Sequence, residues 1–193
     1  MSSEEEIIQL LEDVGAIKKG HFVLASGRHS GHYVQCAQLG QYPDKLQQLI
    51  ESKRDTIHAL GRIDTVFFPA IGALQVGQQL GLALGKRAIF AERNTENEMA
   101  LRRGFEIHEG ENLLLAEDVI TTGSTLRETL KFAEAKNANI LGVFCIINRS
   151  GKPDWNGLPL ISVLDVNFPT YAADEIPQEL AAIPTDRPGT KKV

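Results

Sequence analysis

Between residues 65 and 164 the chain alternates short apolar runs with stretches of helical periodicity, and this alternation constrains the fold more than any other feature. Thr65-Val66-Phe67-Phe68 is a short apolar run that stops at Pro69. A turn, Ala70-Ile71-Gly72-Ala73, leads into a helical pattern that ends near Leu84. Further strand-like runs cover residues 87–91, 113–116, 140–147 and 160–164, and residues 125–136 have helical spacing. Apolar runs this short, with no polar alternation, suit strands covered on both faces. Interleaved with helices, they predict an α/β fold with a mostly parallel sheet flanked by helices. Chemistry in such folds gathers at the carboxyl ends of the strands.

Before this region, Ser3 and Glu6 have capping-box spacing, and Ile7, Leu10, Leu11 and Val14 repeat at helical intervals up to Gly15. Strands are expected over 21–24 and 33–36, separated by the turn-rich Ser26-Gly27-Arg28-His29-Ser30-Gly31. Residues 44–60 read as one helix with a polar face. After Asn167 come Pro169, Pro177, Pro184 and Pro188, then Thr190-Lys191-Lys192-Val193, which reads as a surface-hugging extension.

With 193 residues the chain suits a single domain with a sizeable core. Its formal net charge of −5 lacks the basic footprint of a nucleic-acid binder. The acidic N-terminus, Met1-Ser2-Ser3-Glu4-Glu5-Glu6, is unlike a signal peptide, and no apolar run approaches membrane-spanning length. Cys36 and Cys145 read as free thiols, which fits a cytoplasmic setting. His21, His29, His32, His58 and His108 have no metal-ligand spacing.

The run that carries chemistry is Leu113-Leu114-Leu115-Ala116-Glu117-Asp118-Val119-Ile120-Thr121-Thr122-Gly123-Ser124-Thr125. A buried strand delivers two adjacent carboxylates, and a loop of hydroxyls with one glycine then opens a helix. Amides at a helix start carry partial positive charge and hold phosphate oxygens. Gly123 lets the backbone approach a ligand closely, and Thr121, Thr122, Ser124 and Thr125 can donate to the same oxygens. Glu117 and Asp118 suit the two hydroxyls of a ribose. Singly, each residue reads equally well as a helix cap; the ordered string points to a sugar phosphate. It is no nucleotide P-loop, because no Gly-Lys-Ser/Thr is present.

This string resembles the phosphoribosyl pyrophosphate (PRPP) motif of type I phosphoribosyltransferases. The resemblance implies a Rossmann-like core over about residues 60–165. It also implies a small N-terminal hood, built from about residues 1–40 with the C-terminal segment, within one domain of residues 1–193. Other segments are similar to orotate phosphoribosyltransferases in particular, across about residues 10–189. They are Gly20-His21-Phe22-Val23-Leu24-Ala25-Ser26-Gly27-Arg28-His29-Ser30 with Tyr33, Pro69-Ala70-Ile71-Gly72, and Phe90-Ala91-Glu92-Arg93 with Met99-Ala100-Leu101-Arg102-Arg103-Gly104-Phe105. Asn148-Arg149-Ser150-Gly151 and Pro169-Thr170-Tyr171 complete the set.

What the resemblance implies is transfer of the 5-phosphoribosyl group from PRPP to orotate, giving orotidine 5′-monophosphate and pyrophosphate. Glu117, Asp118 and Arg93 are the implied catalytic residues. PRPP binding falls to these three with Val119, Ile120, Thr121, Thr122, Gly123, Ser124, Thr125, Arg102, Arg103, Ala70 and Gly72. Orotate falls to Thr121, Arg149 and Ser26. Mg²⁺ is expected to travel with the pyrophosphate, without a ligand set of protein side chains. A cytoplasmic homodimer that shares a mobile loop is also implied. Arg149 supports this on its own chemistry, since its planar fork suits a flat, carboxylate-bearing pyrimidine.

The family's pattern is not followed everywhere. Ala25 and Gly72 stand where its members place lysines. Asn94-Thr95-Glu96-Asn97-Glu98 offers no cation between Arg93 and Arg102, and Ile176-Pro177-Gln178-Glu179-Leu180 replaces a segment where one bacterial branch has cysteines. A non-catalytic PRPP-binding regulator and a transferase for another base, such as a purine, are the competing readings.

Overall fold

The computed structural model describes residues 3–188. Met1, Ser2 and residues 189–193 lie outside them, and with these the extreme ends of the chain discussed above, including Gly189.

Helix α1 (Glu4–Asp13) starts with the expected capping box: Glu6 N–H donates to Ser3 Oγ at 3.2 Å, and Ser3 N–H to Glu6 Oε2 at 2.9 Å. Its buried side, Ile7 and Leu11, enters the core. Strands β1 (Ile17–Val23) and β2 (His29–Val34) form an antiparallel hairpin. The turn between them is tighter than the sequence suggests. Leu24 N–H bonds to Arg28 O at 2.8 Å, so pairing resumes at His29, inside the stretch read as turn. Cys36 opens a 3-10 helix, Cys36–Gln41, instead of closing the second strand.

The single helix expected over residues 44–60 is two: α2 (Pro43–Glu51) and α3 (Arg54–His58). At the break the Ser52 hydroxyl donates back to Leu49 O at 2.6 Å. A hydroxyl bonded to a local carbonyl competes with helix continuation. The break lets Leu49, Ile50 and Ile57 all reach the core.

The main sheet follows. Its elements are β3 (Thr65–Pro69), α4 (Leu74–Leu84), β4 (Arg87–Arg93), β5 (Met99–Leu101), β6 (Asn112–Ile120), α5 (Ser124–Glu134), β7 (Asn139–Asn148), β8 (Asp154–Trp155) and β9 (Leu158–Asp165). The strand order is β5-β4-β3-β6-β7-β9-β8. The inner five strands run parallel; β5 and β8 are short antiparallel additions at the two edges. Both faces are covered. Val66, Phe68, Leu114 and Phe144 pack in the cluster that includes residues of α1, α2 and α4, whereas Phe67, Leu113, Leu115 and Cys145 pack with α5. This double burial is why β3 is buried along its whole length and apolar from Val66 onward.

The tail forms β10 (Thr170–Tyr171), α6 (Gln178–Ala181) and β11 (Thr185–Asp186). It does more than lie on the surface. β10 pairs with β2, and β11 with β1, giving a second sheet of order β10-β2-β1-β11. Arg28 secures one side, donating from Nε to Thr170 Oγ1 at 3.0 Å and from Nη2 to Thr170 O at 2.7 Å. No helix among the described residues is long and apolar enough to cross a membrane.

Candidate active site

In the main sheet the chain winds outward from β3 to β4, then crosses back so that β6 lies on the other side of β3. The loops leaving β3 and β6 therefore diverge, and a crevice opens between them. It holds a cavity of about 320 Å³ lined by Pro69, Ala70, Gly72, Arg93, Met99, Glu117, Asp118, Val119 and Thr125. A smaller cleft of about 60 Å³ continues past Thr121, Gly123, Ser124 and Thr125.

Strand β6 is longer than its apolar run. Glu117 and Asp118 belong to its paired part, with Glu117 opposite Cys145 and Val119 opposite Ile147 on β7. Side chains alternate along a strand. Glu117 thus faces the side covered by α5, and Asp118 the side of α4, where a Cβ on Gly72 would stand 3.5 Å from Asp118 Oδ1. The cavity mouth lies across the strand end, so both carboxylates line it.

The pair is electrostatically unsettled. Glu117 is only 7% exposed. Burial pushes its carboxyl well above the usual range, and the neighbouring Asp118 adds to the effect. Burial also raises Asp118, partly offset by the Val119 N–H that donates to its Oδ1 at 2.7 Å. The ion pairs among the described residues include neither carboxylate. Such a site gains from an incoming cation or from hydroxyl donors. No cluster of three or more metal-ligating side chains occurs among the described residues. One or two carboxylates beside substrate oxygens is nevertheless a donor set that Mg²⁺ accepts, because it keeps much of its water.

Beyond the pair, the chain turns at Gly123 (φ 67°, ψ 26°), the N-cap of α5, and no side chain caps the helix. The hydroxyls that cap reading would have consumed are left for a ligand. Thr121, Thr122, Ser124 and Thr125 are exposed, the first-turn amides have no partner within the helix, and Ser124 and Thr125 line the cleft. Trp155 supports the turn from below: it is 4% exposed, and its Nε1 would lie 2.4 Å from a Cβ on Gly123. Sequence reasoning missed this residue. Asn156-Gly157, with φ 53° and 78°, was the available signal, since that dipeptide marks a two-residue hairpin and hence β8 and β9.

The cations are placed unequally. Arg93, at the end of β4, lines the cavity; it also donates to Asn97 O at 2.6 Å and pairs with Glu128 Oε2 on α5 at 2.7 Å. Arg102 and Arg103 do not line it. They sit beside Glu92, at 3.7 and 3.1 Å, and Arg103 lies over the Phe90 ring. The residues between β4 and β5 form a tight hairpin, in which Asn94 Oδ1 accepts from the amides of Glu96 and Glu98 at 2.9 Å each. Ser26 is exposed in the β1–β2 turn and is not among the residues lining this cavity, and its hydroxyl accepts from Arg28 N–H at 3.4 Å.

Arg149 follows β7, and its amide donates to Ile120 O at 2.7 Å, which holds it next to Thr121. Burial holds its guanidinium below the ordinary value. Met99, His32 and Phe168 are further residues that the sequence did not single out for the site: Met99 lines the cavity, Phe168 lies under Arg149, and His32 stacks on Phe168.

No protein-family model matches the chain. Curated relatives do. An orotate phosphoribosyltransferase of Thermoanaerobacter sp. (strain X514) is 41% identical over 191 residues, covering 98% of each chain. One from Erythrobacter litoralis (strain HTCC2594) is 38% identical over 191 residues, again covering 98% of each. The crystal structure of orotate phosphoribosyltransferase from Aeropyrum pernix superposes with a TM-score of 0.70 over 83% of this chain and 93% of that one. It is 20% identical, so that likeness speaks to the fold.

Proposed function

Since the chain belongs to the orotate phosphoribosyltransferase family, we propose that it transfers the 5-phosphoribosyl group from PRPP to orotate, releasing pyrophosphate. One observation carries the reading: an uncapped helix start lined with free hydroxyls adjoins a buried and a half-buried carboxylate that have no basic partner among the described residues.

Each part of the donor has a complementary group. The 5-phosphate takes the amides and hydroxyls of residues 121–125. Glu117 and Asp118 accept from the ribose hydroxyls, and their charge favours a ribosyl group that becomes cationic as the bond to pyrophosphate lengthens. Ala70 and Gly72 offer backbone to the pyrophosphate, with Arg93 beside it. The ring nitrogen of orotate attacks the anomeric carbon in line, so no covalent intermediate on the protein is required. Arg149 presents its fork to the orotate carboxylate, next to Thr121. Glu117 and Asp118 are the side chains that would adjoin a Mg²⁺ carried in by the pyrophosphate, and the ion would supply charge neutralisation of the leaving group. We read the working form as a cytoplasmic homodimer whose β4–β5 hairpin, with Arg102 and Arg103, serves the partner's site.

Steady-state assays of orotate consumption with PRPP, with and without Mg²⁺ and with purine bases as competitors, test the reading. Mg²⁺-dependent formation of orotidine monophosphate, unaffected by purines, is expected. Absence of that product at saturating PRPP and Mg²⁺ would overturn it.

A further inference from the structure

We propose that Phe168 is a positioning residue that holds the Arg149 fork ready for the carboxylate of the base, with His32 clamping the Phe168 ring from a second strand. The proposal rests on the orotate reading above and adds residues that neither composition nor motif points to.

Arg149 is an arginine with nothing polar to hold it. Its side chain makes no hydrogen bond or ion pair among the described residues, and its Nε is buried without a partner. A long side chain left this way keeps several rotamers, and a ligand must then pay for ordering it. The contact that restrains it is aromatic. Its Cζ lies over the Phe168 ring, 5.6 Å from the centroid. Guanidinium planes stack favourably on such faces, and the contact leaves the N–H donors unspent.

The Phe168 ring is fixed in turn. The His32 imidazole stacks on it with centroids 4.2 Å apart and planes 7° from parallel. The chain just after the ring is tied down: Pro169 O accepts from Ser30 Oγ at 3.1 Å, and Thr170 pairs with Ser30 in the second sheet. His32 belongs to β2 and pairs across with Lys19 on β1. Burial, then Lys19, lowers the imidazole's pKa, which keeps the ring uncharged in a stack that already holds a cation. The layer His32–Phe168–Arg149 thus joins β2, the β9–β10 loop and the end of β7. It stops at the residue whose amide is bonded to Ile120, one step from the phosphate loop.

The test compares Phe168→Leu, which keeps apolar bulk but removes the ring face, with Phe168→Tyr, which keeps the face. With wild-type turnover measured first, Phe168→Leu should raise KM for orotate about tenfold, the scale of a partly desolvated cation–π contact. KM for PRPP should stay within about twofold, and Phe168→Tyr should restore orotate binding. Should Phe168→Leu lack a cooperative melting transition, His32→Leu removes the ring stacked on Phe168 and should raise the orotate KM several-fold by itself. If the two KM values rise together, if neither moves, or if the tyrosine variant is as impaired as the leucine one, Phe168 is packing and the proposal fails. A wild-type protein that does not turn over orotate would refute the functional reading instead.

Discussion

Replacing Gly123 by alanine puts the loop proposed to hold the phosphate under two separate strains. The first is conformational. At φ 67° an L-residue crowds its own carbonyl, at about 1–2 kcal/mol. The second is steric. The new Cβ would stand 2.4 Å from Trp155 Nε1, 3.1 Å from Cε2 and 3.3 Å from Cζ2, and a 4%-exposed indole has no room to retreat. Crowding of this kind costs about 1–3 kcal/mol. Together the two come to about 2–5 kcal/mol, or a drop of roughly 4–20 °C in melting temperature for a chain of this size. Should the loop shift to relieve the strain, the amides of Ser124 and Thr125 leave the phosphate position and PRPP affinity falls in place of stability. Calorimetric melting and PRPP titration, run together, register either outcome. The double variant with Trp155→Ala separates the two strains: it should recover the steric part, giving a coupling of about 1–3 kcal/mol. A Gly123→Ala protein that melts within about 1 °C of wild type and binds PRPP equally well would refute the reasoning. Zero coupling would refute the part assigned to Trp155.

Three further outcomes are expected. Asp118→Asn should lower turnover by roughly 10²–10³-fold without lowering the melting temperature, since it removes a desolvated charge; unchanged kinetics would contradict its role at the ribose. Arg149→Ala should raise the orotate KM by roughly 10- to 100-fold, the scale of lost charged hydrogen bonds, and the PRPP KM far less; equal losses would argue against base recognition there. Because Glu117 and Asp118 have raised values in the folded protein, the fold keeps protons that the unfolded chain releases from about pH 4 upward. The pair's contribution is complete below that pH and declines as pH rises through its raised range. The ligand-free protein should therefore lose melting temperature towards alkaline pH faster than Glu117→Gln, and parallel profiles would count against the unpaired pair.

Much of this protein could be read before any coordinates. Continuous apolar runs such as Thr65-Val66-Phe67-Phe68 encode burial on both faces, and their alternation with helices led to the parallel sheet. The string from Leu113 to Thr125 marked the cleft-lining loop and the carboxylates because a strand end, a glycine and a helix start are consecutive in the chain. Local physics acts over such distances, and neighbouring residues record it.

Other features depended on partners far away in the chain. β5, β8, β10 and β11 are two or three residues long, and none has a hydrophobic period of its own; each exists because a longer strand offers an edge. The same holds at the site. Glu117 and Asp118 are visible as two acids, but their raised proton affinity comes from the desolvation that folding imposes. Arg93, Arg102 and Arg103 all read as cations for PRPP, and tertiary contacts put Arg93 at the cavity and the other two beside Glu92. His32, Phe168 and Arg149 lie on separate segments, and only the folding of the tail back onto β2 stacks them into one layer. The sequence by itself determined which chemical groups were available and the local frame that presents them. Their charge states, pairings and distances were decided by tertiary structure, because burial and electrostatics depend on everything packed around a group.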